Sequence, residues 1–127
     1  MVQENASCTS AASTAATSHG MWDIGGGGLE HGHSVEDTVR KEINEEFGTD
    51  VLDFEFLGYR DVHREHESAK THWVALDFKV HIDENKVKNN EPHKFEKLEW
   101  FHVDALPREQ ELHSQLPTFL KQYIGRL

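Results

Sequence analysis

The chain has 127 residues, a single cysteine and a formal charge of −10, which suffices for one hydrophobic core and is too little to argue for two. Attraction to nucleic-acid backbone comes from clustered Lys and Arg, so nucleic acid is an unfavoured partner, whereas a small phosphorylated molecule remains open if divalent cations bridge two negative partners. An apolar fraction of 36% argues against wholesale disorder, no apolar run nears the ~20 residues of a membrane helix, and Cys8 alone makes no intramolecular disulfide, so a cytoplasmic, membrane-free setting is expected.

Residues 1–20 are rich in Ser, Ala and Thr and carry neither a period-2 nor a 3.6-residue apolar pattern. They read as a loop or disordered segment, with only Val2-Gln3 fit to end a strand, and the domain proper is expected over 21–127. Residues 21–33 hold five glycines, Gly25, Gly26, Gly27, Gly28 and Gly32, which points to a backbone that something approaches closely. A helix follows over about 35–47, opened by Ser34 with Asp37 three residues on and closed by Gly48. Val35, Val39, Ile43 and Phe47 form its apolar stripe. Strands are expected around Val51–Tyr59, Trp73–Ile82 and Leu98–Val103, a polar loop over Asp83–Lys94, and a closing helix from Gln115 to Ile124 started near Pro117.

Within the first helix, Glu42, Glu45 and Glu46 stand at i, i+3 and i+4, which puts three carboxylates on one patch. A solvated acidic face is the default for such a triplet. A hard divalent cation would relieve the repulsion, and an all-oxygen donor set suits Mg²⁺ or Mn²⁺ better than zinc. The His31/His33 and His63/His66 pairs lack the cysteine or helical partners of a specific zinc site.

The glycine loop, the glutamates and Gly48 together resemble the Nudix hydrolase signature G-x5-E-x7-R-E-U-x-E-E-x-G-U, where U is aliphatic. Gly27, Glu42, Ile43, Glu45, Glu46 and Gly48 fall in register. His33 stands where the family has Glu, Lys41 where it has Arg, and Thr49 where it has an aliphatic residue. The resemblance implies an α/β/α sandwich around a mixed sheet, with N-terminal strands missing or divergent, since 1–20 does not read as strands. An edge left unpaired in that way invites a homodimer.

The resemblance also implies roles. Glu42, Glu45 and Glu46 would hold the metal with the carbonyl of Gly26, and Lys41 would position Glu42 less rigidly than a planar guanidinium does. Glu91 is a candidate further ligand or general base, in competition with Glu65, Glu67 or a helix glutamate. Trp22, Tyr59, Arg60 and Arg64 are candidate substrate contacts, against the bland readings of core filler and solvated strand edge. The expected activity is Mg²⁺-dependent hydrolysis of a nucleoside diphosphate linked to another moiety. The departures at His33 and Lys41 keep a second reading open, a weakly active or inactive module that binds a nucleotide or a protein.

Overall fold

A computed structural model of the chain describes residues 2–3, 11–17 and 20–127. In chain order the elements are strands β1 (Val2–Gln3), β2 (Ala11–Thr17) and β3 (Trp22–Asp23), helix α1 (Val35–Phe47), strands β4 (Val51–His66), β5 (Ala69–Ile82) and β6 (Phe95–His102), and helix α2 (Leu116–Tyr123). One sheet is mixed, with β5 central, β1 parallel to it and β4 antiparallel. The other is antiparallel in the order β3-β2-β6.

Helix α1 begins and ends where its caps dictate. The Ser34 hydroxyl accepts the Asp37 N–H at 3.0 Å, and Gly48 turns left-handed at φ +65° while its N–H returns to the Asn44 carbonyl, a conformation glycine adopts without a Cβ penalty. Val39, Ile43 and Phe47 are buried against Val51, Phe78, Val80 and Ile82. Helix α2 carries Pro117 in its first turn, and its Leu116, Phe119 and Tyr123 form a second cluster with Leu57 and Leu112, joined by the half-buried Trp22 and Ile24. Side chains alternate across a strand, so Phe78, Val80 and Ile82 feed the α1 cluster while Asp77 points to the α2 side. Two helices thus cover two faces of strand structure, the layering implied by the signature.

The N-terminal segment corrects the expectation of a loop. Ala11–Thr17 is a strand lying between β3 and β6, with Ala12 opposite Phe101, Ser13 opposite Trp100 and Ala15 opposite Leu98. Its sequence, AASTAAT, offers no large apolar residue to set a period, and the backbone ladder on both sides supplies what local propensity does not. Val2–Gln3 also pairs, with Lys79 and Val80. The rest of the expected loop, residues 1, 4–10 and 18–19 with Cys8, lies outside the described residues.

The hairpin of β4 and β5 is longer than the apolar runs indicate. It continues through polar residues to a two-residue turn at Glu67 and Ser68, both at positive φ, the backbone form whose twist matches antiparallel strands.

Candidate functional site

The glycine loop packs directly on the carboxylates of α1. A Cβ at Gly25 would run into Glu46 Oε2 and the Phe47 ring, and one at Gly27 into the carboxyl group of Glu42. The Gly26 N–H donates to Glu46 Oε1 at 3.2 Å. The glycine run therefore lets the main chain lie against two anionic groups, which any larger residue would push away.

Glu46 is fully buried. Its Oε1 takes the Gly26 N–H and the Lys94 ammonium, the latter at 3.2 Å, while its Oε2 is buried with no hydrogen-bond partner. Burial raises the carboxyl pKa, and the Lys94 charge and the two hydrogen bonds only partly offset it. Glu42 is also raised, first by burial and then by Glu45, against the opposing pull of Lys94 and Lys41. Two glutamates thus share one pocket in which neither is comfortable as an anion.

A second wall comes from the loop after β5. The Lys88 N–H donates to the Phe47 carbonyl at 3.0 Å and the Asn90 N–H to the Glu46 carbonyl at 3.2 Å, satisfying acceptors that the end of a helix leaves open. Asn89 braces the loop from within: its side-chain amide donates to the Phe95 carbonyl at 2.7 Å, and its Oδ1 accepts the Glu91 N–H at 3.2 Å. This framework holds Glu91 and Lys94 side by side at the cluster, with Lys94 Nζ 3.8 Å from Glu91 Oε2. Burial pulls the Lys94 ammonium towards neutrality, yet Glu46, Glu91 and Glu42 carry its pKa above the ordinary value. Sequence reading did not single out Lys94, because one lysine in a polar loop gives no periodic or motif signal.

The three helix glutamates do not act as one patch. Glu42 and Glu46 face the glycine loop, whereas Glu45 is half-exposed and lies 3.8 Å from Lys41. Lys41 itself donates to Glu30 Oε1 at 2.9 Å, and Glu30 Oε2 stands 3.5 Å from His33 Nδ1. Glu30 therefore supplies, three residues earlier, the carboxylate that the signature carries at position 33, and Lys41 is bound to the loop rather than to Glu42.

The expected substrate contacts lie elsewhere. Tyr59 and Arg60 border a shallow cleft of about 430 Å³ between β4 and α2, with Gly58, Asp61, Thr118 and Gln122. Arg60 is committed inward to Asp77 and to the Gln115 carbonyl. Trp22 packs edge-on against Phe101, and its indole lies under the Lys97 ammonium. Arg64 is exposed on β4, and Glu65 and Glu67 are exposed towards the tip of the hairpin. Among the described residues, Glu91 is the candidate base outside the helix that is brought to the glutamate cluster.

Among the described residues no three His, Cys, Asp or Glu side chains converge tightly enough to hold a cation as they stand. The donor set still fits a hard divalent ion: Glu42, Glu46 and Glu91 offer only oxygen, and one buried oxygen of Glu46 lacks a partner.

The NUDIX domain profile matches residues 4–123, which takes in β2 and reaches back into the segment expected to lie outside the domain. The NAD-capped RNA hydrolase NudC of Pseudomonas aeruginosa (strain LESB58) is 30% identical over 107 residues, covering 84% of this chain and 36% of that protein. The chain thus aligns with only about a third of that relative's length. Among solved structures, a MutT NUDIX hydrolase from Burkholderia pseudomallei superposes with a TM-score of 0.74 at 27% identity, covering 88% of this chain and 87% of the other. A MutT protein from Bacillus halodurans does so with a TM-score of 0.73 at 22% identity, covering 99% and 79%, a likeness of fold. With a profile spanning nearly the whole chain and a glycine loop seated on the signature glutamates, this chain belongs to the NUDIX domain family.

Proposed function

We propose that the chain is a divalent-metal-dependent pyrophosphohydrolase acting on a nucleoside diphosphate linked to another moiety. The observation that carries this reading is the buried Glu46 carboxylate, with one unpartnered oxygen beside a glycine loop whose Gly25 and Gly27 have no room for a side chain. Glu42, Glu46 and Glu91 would hold Mg²⁺ or Mn²⁺, with Glu45 as a further ligand once drawn from Lys41 and the Gly26 carbonyl as a backbone donor. Bound there, the metal would acidify a water and neutralise the pyrophosphate.

The protein's own contribution is placement. The glycine loop keeps bulky groups off the carboxylates, and the Asn89-braced loop fixes Glu91, which is largely buried yet open enough to take a proton from an attacking water. The Glu30–Lys41 pair ties the loop to the helix. The charge of −10 disfavours recognition of a duplex by counterion release, but a capped RNA end, the ligand class in the name of the NudC relative, also carries a diphosphate linkage and belongs in the substrate panel.

The test is a hydrolysis panel of nucleoside diphosphate sugars, dinucleotides and a capped oligonucleotide, with and without Mg²⁺. Metal-dependent release of a nucleoside monophosphate is the expected result. Absence of turnover combined with calorimetric binding of one panel member would establish the non-catalytic binding module in its place.

A further inference from the structure

Lys94 is a charged group at the carboxylate pocket to which the proposed reaction assigns no role. Its ammonium lies 3.2 Å from Glu46 Oε1 and 3.8 Å from Glu91 Oε2, and Glu42 also feels its charge. It thus stands among the same oxygens that the fit to a hard cation singles out. Glu46 and Glu91 are both turned towards this one ammonium, which occupies the point between them where a cation would sit.

The way this lysine is mounted matters as much as its position. The backbone at 88–95 is tied to the last carbonyls of α1 and braced by Asn89, whereas the side chain is 47% exposed and sits on a flexible four-carbon stem. The stem can swing out towards solvent while the loop stays docked. Glu46 has no such freedom, being fully buried in the body of the helix. A divalent ion and an ammonium cannot share one set of carboxylate oxygens at contact distance, because like charges repel strongly where burial lowers the local dielectric.

We infer that Lys94 is the resident cation of this pocket, an internal counter-ion that stabilises the metal-free fold and that an incoming divalent ion must displace from Glu46 and Glu91. The inference rests on the metal-binding reading above. It makes Lys94 a competitor of the metal, which opposes its affinity, rather than a strut that prepares the ligands.

The test titrates Mn²⁺ alone into the metal-free chain by calorimetry, for the parent, Lys94→Met and Lys94→Arg. Lys94→Met should bind Mn²⁺ about tenfold more tightly, as expected when a positive charge is removed from a cation site, and should melt at a lower temperature than the parent without metal. Lys94→Arg should stay close to the parent in both. Unchanged or weaker Mn²⁺ binding by Lys94→Met, with the parent binding normally, overturns the inference and leaves the metal reading standing. No Mn²⁺ binding by the parent removes both. Should Lys94→Met fail to fold, the parent alone decides the matter through acetylation of the Lys94 amine, followed by mass spectrometry across a Mn²⁺ titration. Faster modification as metal is added supports displacement, and an unchanged or slower rate overturns it.

Discussion

Two carboxylates are buried among the described residues, Asp77 and Glu46, and they have been given opposite surroundings. Asp77 meets the full fork of Arg60, at 2.6 Å to Oδ2 and 2.9 Å to Oδ1, while the guanidinium also donates to the Gln115 carbonyl and lies over the Phe119 ring. Every oxygen has a donor, and the charge is enclosed beneath α2. Nearby, burial and then the Asp77 carboxylate push the Tyr123 phenol up to about 12, so it stays a neutral donor at any ordinary pH. Glu46, packed against the glycine loop, has a flexible lysine where Asp77 has an arginine, one backbone N–H, and one oxygen with nothing to accept. A closed pair leaves no polar atom unsatisfied, whereas an open one is expensive to keep, and that contrast supports the proposed cation site at Glu46.

The sharpest way to test that contrast is to break the closed pair. Arg60→Met leaves Asp77 buried and unpaired and should lower unfolding stability by about 3–5 kcal/mol, read by denaturant titration, while the Mg²⁺-induced rise in melting temperature of the protein that remains folded stays as in the parent. A loss of metal response would mean that the two sites are one system.

Glu46→Gln should show the reverse. The amide can still accept from Gly26 and Lys94, and it carries no buried charge, so metal-free stability should hold or rise while hydrolysis falls roughly 100-fold. Full activity together with an unchanged metal response would return Glu46 to a structural role.

Gly25→Ala should cost about 1–3 kcal/mol by forcing a methyl group against Glu46 and Phe47. Gly27→Ala should cost less, since the Glu42 carboxyl that it strikes belongs to a side chain able to turn aside, but Mn²⁺ binding should weaken measurably in calorimetry. Equal effects of the two on stability would contradict this ranking.

The pH response gives a smaller signal with a definite sign. Glu46 is raised above 4.5 in the folded protein, so the folded state holds its proton more tightly than the unfolded chain does. The associated stability is complete below about 4.5 and is lost as pH rises through the raised value. In metal-free buffer the parent should therefore lose melting temperature relative to Glu46→Gln as pH climbs above 4.5. A constant difference between them would show that the buried charge is not the cause.

The smallest effect is expected at Glu30. Glu30→Gln releases Lys41 from an exposed pair and should leave the melting temperature nearly unchanged. A modest fall in turnover would show that the loop tether matters to chemistry, and turnover equal to the parent's would show that it does not.

The amino-acid sequence by itself determined α1 and its chemistry. Ser34, the Val39, Ile43 and Phe47 stripe, and Gly48 act within one or two turns, so the helix and the placement of Glu42 and Glu46 on it follow from local rules. The demand for glycine beside the helix was legible too, as a composition no ordinary loop needs. Strand β2 was not legible, because its Ala, Ser and Thr residues carry no apolar period and become a strand through hydrogen bonds with the short β3 and with β6, which lies far along the chain. Glu91 could be named from the resemblance, but its arrival at the cluster depends on Asn89 and on carbonyls at the end of α1 more than forty residues earlier. Lys94 and Glu30 belong to the same class. A lysine or a glutamate in a polar stretch is only a charge until the tertiary fold decides which opposite charge it stands beside, and Coulomb attraction depends on distance in space, which sequence separation does not reveal.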